Sequence, residues 1–137
     1  MIHKTTNVFS RELSAYFDER CSEFGLATSY IELMLLVRAF DGDATQKVLA
    51  EKMNLAPSTI TRFMSKLIKN GLVKKTREGR EVVITLSAKG KKEAEKMDRV
   101  YKKAESDLRQ KLGGQFVETT EKLLEHGLTE LIKERKD

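Results

Sequence analysis

The sequence predicts a mainly α-helical (α+β) fold, with short central helices and one β-hairpin carried between long N- and C-terminal helices. Three observations predict it. Apolar residues recur at helical spacing over most of the 137 residues. Only the stretch around Leu72 to Leu86 changes to strand-like alternation. One proline and eight glycines leave long uninterrupted elements.

The first helix spans residues 5–24, with Val8, Phe9, Leu13, Tyr16, Phe17, Cys21 and Phe24 on its apolar stripe, and Gly25 ends it. Ser29 to Glu32 has the form of a capping box, opening a second helix from Tyr30 to Phe40. That helix is apolar on nearly every side and is expected at the centre. Asp41-Gly42-Asp43 reads as a turn. Thr45 is placed to cap a third helix, Gln46 to Met53, with Val48, Leu49 and Met53 inward. After the short connection Asn54-Leu55-Ala56, Pro57 suits the first position of a fourth helix. On a helical wheel Ile60, Phe63, Met64, Leu67 and Ile68 share one arc. Ser58, Arg62, Ser65 and Lys69 lie opposite, with Thr59, Thr61 and Lys66 at the borders.

Two short helices joined by about three residues make a helix-turn-helix. Gly71 then suits the end of the fourth helix, and Leu72–Thr76 and Glu81–Leu86 form a hairpin around Arg77-Glu78-Gly79-Arg80. A hairpin in that position is a wing. Ser87 caps a long helix to Leu112, Gly113-Gly114 breaks it, and Gln115 to Lys133 forms the last helix. The expected organisation is one domain over residues 1–137: a winged helix-turn-helix lobe, residues 30–86, and dimerisation helices, residues 5–24 and 87–134. Phe9, Leu13, Phe116, Leu123, Leu124, Leu128, Leu131 and Ile132 give the terminal helices wide apolar faces. A second copy of the chain would cover these; a self-packed helical cap is the competing account.

Charge is unevenly placed. Residues 56–80 hold Arg62, Lys66, Lys69, Lys74, Lys75, Arg77 and Arg80 against the single acid Glu78, within a chain of net charge +5. The rest of the chain is therefore near neutral, and the basic block marks a surface facing a polyanion. On the fourth helix the small hydroxyls and Arg62 suit base edges in a DNA major groove. Lys66, Lys69, Lys74 and Lys75 suit phosphates, as do Thr45 and Gln46 at the start of the preceding helix. The wing residues Arg77, Gly79 and Arg80 suit a neighbouring minor groove. An ordinary amphipathic surface helix would instead mix Glu with Lys.

Together these blocks resemble the MarR-type winged-helix transcription regulators. The resemblance rests on Thr45 to Met53, Ala56 to Arg62, Lys66 to Val73, and Ile84 to Gly90 after the wing. It implies a homodimer joined through the terminal helices, a palindromic double-stranded operator, and repression. It also implies response to a small aromatic or phenolic ligand bound between the dimer helices and the DNA-binding lobe; an aromatic or anionic effector that releases DNA is expected. In this resemblance Ser58, Thr59, Thr61 and Arg62 face bases, Ser65 shares their face, and a wing arginine reaches the minor groove. The wing departs from the family pattern: its tip is REGR, with Glu78 or Glu81 standing where the family places an Asp that pins the arginines.

Other features carry less. Arg20 and Arg38 sit within apolar helical faces; carboxylate pairing explains them, and so does an effector's anionic group near Tyr16, Phe17, Tyr30 and Met34. Cys21 lies on or beside the apolar stripe, which points to a packed thiol; the alternatives are a redox sensor, for which the sequence holds no resolving cysteine, and pairing across a dimer. His3 and His126 form no metal-ligand spacing, and no cofactor is expected. No phosphate-binding loop, dinucleotide fingerprint or nucleophile–base pattern supports an enzyme. The longest apolar run, Leu33 to Val37, is too short for a membrane span, and no secretory signal is evident, so a cytoplasmic location is expected. The alternative function is a winged-helix module whose basic face meets an acidic protein partner.

Overall fold

The structure, a computed structural model, describes residues 1–136. Its elements in chain order are α1 (Ile2–Arg20), a 3-10 turn (Ser22–Phe24), α2 (Thr28–Phe40), β1 (Ala44–Thr45), α3 (Gln46–Met53), α4 (Pro57–Lys69), β2 (Val73–Glu78), β3 (Glu81–Leu86), α5 (Ala88–Leu112) and α6 (Gly114–Lys136). Helices predominate, around one small antiparallel sheet of order β1-β3-β2. The chain divides into two compact units, residues 1–101 and a second from Lys102 onward.

The first unit contains the core. α2 supplies Ile31, Leu33, Met34 and Val37, α3 supplies Leu49, and α4 supplies Ile60, Met64 and Leu67. Ile84 of β3 and Met97 of α5 complete it, all essentially without solvent contact. The central place expected for α2 follows from its apolar residues on every side.

Several boundaries differ from the sequence expectation. α1 begins at Ile2 rather than Thr5, and its α-helical part stops at Arg20; Cys21 leads into the 3-10 turn, which Gly25 closes in the left-handed region at φ 64°. The capping box at Ser29 does not form. α2 starts at Thr28, whose N–H and hydroxyl both donate to the Asp18 carboxylate of α1, at 2.8 and 2.5 Å. Glu32 instead accepts from the Tyr101 hydroxyl at 2.7 Å. A carboxylate ten residues upstream thus satisfies the helix start that a local motif was expected to cap. At α3 the expected cap does form, with Thr45 Oγ1 accepting from the Val48 N–H at 3.2 Å. Thr45 also belongs to the two-residue β1, paired with Val83.

The junction from α4 into α5 is tightly tied. Gly71 takes φ 73°, with its N–H donating to Ile68 and that of Leu72 donating to Leu67, a Schellman-type close. Ser87 donates its hydroxyl to the Gly71 carbonyl at 2.6 Å, accepts from the Gly90 N–H at 2.9 Å, and gives its own N–H to Leu72 at 3.0 Å. Gly90 is required there, since a Cβ would lie 1.9 Å from the Leu72 carbonyl oxygen. In the second unit, Gly113 at φ 93° ends α5, and α6 starts at Gly114, one residue earlier than expected.

Candidate nucleic-acid interface

The fourth helix is positioned by its neighbour and by its own back. Asn54 ends α3 in the left-handed region at φ 55°, a conformation asparagine tolerates better than most residues. Leu55 then donates to the Ala50 carbonyl, and Ala56 leads into Pro57 at the start of α4. Ile60, Met64 and Leu67 anchor the helix in the core, and Phe63 is half-buried. Ile68 is exposed, contrary to its place on the wheel, although Leu67 beside it is fully buried.

The outward face carries Ser58, Thr61, Arg62, Ser65, Lys66 and Lys69, all exposed, with Thr59 half-buried. Among the described residues, Arg62, Lys69, Lys74, Lys75, Arg77 and Arg80 form no ion pair. Cations elsewhere do: Arg38 with Asp98, Arg99 with Glu95, Lys103 with Asp107 and Arg109 with Glu118. The basic block thus offers charge to a partner without breaking an internal ion pair. Lys66 is held over the Tyr30 ring, 4.9 Å from its centroid, and Tyr30 stacks on Phe63 at 4.2 Å and 16°. Part of this face is therefore braced from α2.

Hydrogen bonds also order the face. Gln46 donates from Nε2 to the Thr61 hydroxyl at 3.0 Å, Thr61 donates to the Pro57 carbonyl at 2.9 Å, and Ser65 donates to the Thr61 carbonyl at 3.0 Å. Gln46 thus gives one N–H of its amide to a bond inside the helix-turn-helix, and the Thr45 hydroxyl oxygen accepts from α3. The link from Gln46 to Thr61 has no periodic signal in the sequence; only the crossing of α3 and α4 creates it.

The wing is narrower at its tip than expected. Glu78 pairs opposite Glu81, so the turn is the two residues Gly79-Arg80, and Arg77 and Glu78 belong to strand β2. Gly79 takes φ 63°, the glycine position of a type II′ turn. Lys74, Lys75, Arg77 and Arg80 are all exposed.

Each of the six residues expected to line an effector pocket has contacts of its own. Arg20 lies over the Tyr16 ring at 3.4 Å and donates to the Tyr16 carbonyl. Phe17 packs on Tyr101 at 5.2 Å. Tyr30 faces α4, Met34 is 0% exposed, and Arg38 pairs with Asp98 at 3.4 Å. An open cleft of about 240 Å³ lies elsewhere, lined by Glu23, Phe24, Asn70, Leu72, Lys89, Glu93 and Met97. Cys21 is fully buried, and burial first, then Asp18, Glu23 and Glu32, pushes its thiol pKa above the ordinary value. Among the described residues no group of three metal-capable side chains converges, and no helix is long and apolar enough to cross a membrane.

Of the residues assigned to dimerisation, Phe9 and Leu13 on α1 are half-buried. On α6, Phe116, Leu123, Leu124, Leu128 and Leu131 are exposed, Leu123 by 67% and Leu131 by 64%, and Ile132 is half-buried.

Residues 33–81, from α2 through the wing, match the sequence profile of the MarR family. The fold is that of MarR-family regulators of known structure. A mutant of Escherichia coli MarR complexed with operator DNA is 18% identical, with TM-score 0.81, covering 93% of each chain. The Staphylococcus aureus MepR–DNA complex is 19% identical, with TM-score 0.82, covering 96% of this chain and 98% of that one. CouR from Rhodococcus jostii, bound to p-coumaroyl-CoA, is 18% identical, with TM-score 0.76, covering 90% and 88%. No sequence among the curated proteins matches the chain.

Proposed function

We propose that this chain, with its MarR-type winged helix and family match over residues 33–81, is a sequence-specific double-stranded DNA-binding transcriptional regulator. In this reading it is a homodimeric repressor on a palindromic operator. One observation carries the proposal: α4 presents an acid-free exposed face, flanked by cations that have no internal carboxylate partner. Each α4 enters a major groove, with Ser58, Thr59, Thr61, Arg62 and Ser65 toward the bases. Lys66, Lys69, Lys74 and Lys75 meet phosphates, and Arg80 at the wing tip reaches the adjoining minor groove. The exposed leucines of α6 are covered by a second copy, which places two recognition helices on half-sites about 10 bp apart or a multiple of that. A small aromatic or anionic effector releases DNA by binding better to a geometry in which the two helices no longer match that spacing.

Selection of bound duplexes from a random pool, followed by titration at several salt concentrations, tests this reading. Arg62→Ala is expected to cost about 1–3 kcal/mol on the selected site and little on random duplex. Lys69→Ala weakens both equally and lowers the salt slope by about one. Leu128→Glu is expected to shift sedimentation from dimer to monomer. A pool without enrichment, or a monomeric wild type, would refute the corresponding part.

A further inference from the structure

The hydroxyl of Thr61 has no proton left for DNA. It donates to the Pro57 carbonyl at 2.9 Å and accepts from Gln46 Nε2 at 3.0 Å. A hydroxyl carries a single proton. This commitment does not depend on how the Gln46 amide is turned. With the amide reversed, Oε1 faces Thr61, and the hydroxyl donates to it instead of to Pro57. The proton is spent in both cases. Gln46 is also not a loose surface side chain, because its Oε1 is buried and has no partner among the described residues. It is packed into the contact of α3 with α4, where swinging away is costly. Ser65, by contrast, is tied only once, to the carbonyl one turn back, and Ser58 has no such tie.

Thr61 is nevertheless exposed, beside Arg62 on the outward side of α4. Its proton is spent and Gln46 occupies one of its two lone pairs, so the side chain can offer a groove its methyl group and one acceptor lone pair, but no donor. In the major groove N7, O6 and O4 call for a donor that Thr61 lacks; the amino groups of adenine and cytosine could use its remaining lone pair, and the 5-methyl of thymine is the one feature its methyl matches. Resting on the DNA-binding reading above, we infer that Thr61 is a specificity-determining residue that reads thymine through methyl–methyl contact, with Gln46 as the positioning residue that fixes its rotamer. The expected ligand is thus a duplex with a thymine at one symmetric position in each half-site.

The test replaces each thymine of the selected duplex by deoxyuridine, one symmetric pair at a time, and measures affinity with the full chain. One pair is expected to weaken wild-type binding about three- to fivefold per half-site, the effect of one buried methyl. The same replacement leaves Thr61→Ser unchanged, because serine has no methyl to lose contact. Thr61→Val keeps a methyl and discards the hydroxyl; its own β-branch restricts χ1 in a helix without help from Gln46, and it is expected to retain the thymine preference, while thermal unfolding confirms that each variant is folded. A selected site that tolerates deoxyuridine throughout overturns this inference alone. So does a Thr61→Val protein that loses the preference while Thr61→Ser keeps it. A pool with no enriched sequence overturns the regulator reading itself, and this inference with it.

Discussion

Gly90→Ala probes the junction that sets the wing against α4. The added Cβ would stand 1.9 Å from the Leu72 carbonyl oxygen and 2.9 Å from its carbon. Carbon–oxygen contacts close at about 3.3 Å, so the start of α5 and the Leu72 backbone must part by about 1.4 Å. No flexible side chain is available to absorb that movement, because the obstructing atoms are backbone. The same carbonyl accepts from the Ser87 N–H at 3.0 Å, and that bond is broken by the displacement. Overpacking costs about 1–3 kcal/mol and the lost hydrogen bond about 1 kcal/mol, so a destabilisation of about 3 kcal/mol is expected. Urea unfolding measures it, at fixed protomer concentration because self-association adds to apparent stability. Ser87→Ala is the companion variant. It removes the bonds to Gly90 and Gly71 without moving backbone and should cost about 1 kcal/mol. If Gly90→Ala lies within about 0.5 kcal/mol of wild type, the junction is plastic and the steric argument fails.

Asp18→Ala leaves the N–H and hydroxyl of buried Thr28 without their acceptor and is expected to cost about 1–3 kcal/mol by thermal unfolding, with Asp18→Asn recovering part of it. Cys21 is expected to resist alkylation in the native protein at pH 9, where a free thiol of ordinary pKa 9.0 is half ionised, and to react at once on unfolding. The sign follows from linkage: the folded pKa is raised, so the unfolded chain loses the proton first, and the stability present below pH 9 declines above it. Tyr30→Leu removes the stack on Phe63 and the ring beneath Lys66, and is expected to weaken DNA binding several-fold without changing which sequence is selected. Tyr30→Phe keeps both contacts and should bind as wild type does.

Features confined to one or two turns of chain were legible in the sequence. Pro57 at the head of α4, the Thr45 cap, the left-handed Gly71 and the Ser87 cap are each decided within about four residues, and each forms as read. The outward cations and hydroxyls of α4 were equally legible, since an apolar arc of Ile60, Met64 and Leu67 fixes which side is buried. What local reading missed depends on distant chain. Ser29 has capping-box spacing, but Asp18 arrives from α1 and satisfies Thr28 first, so α2 begins two residues earlier and Glu32 is free to accept from Tyr101. The two residues of β1 are too few for any alternation to show, and they pair only because β3 lies alongside. The wing tip shortens to Gly79-Arg80 because the strand register, Glu78 opposite Glu81, is set along the whole hairpin.

The same distinction separates the two halves of the candidate site. A surface that meets a partner needs only outward residues of one chemistry, and helical periodicity supplies that directly for Ser58 to Lys69. A pocket needs side chains from several elements to leave a void between them, and periodicity says nothing about voids. Tyr16, Phe17, Arg20, Tyr30, Met34 and Arg38 share apolar helical faces in the sequence, and what the fold adds is the contacts of each: Met34 lies in the core, Tyr30 stacks on Phe63 of α4 and Arg38 pairs with Asp98. Tyr30 thereby gains a different significance. It touches Phe63 and Lys66 from α2, which puts α2 in direct contact with the back of the recognition helix. In the proposed reading, an effector would act on DNA binding only through a differential affinity for two conformations of the chain, and this contact is one place where such a difference would be felt.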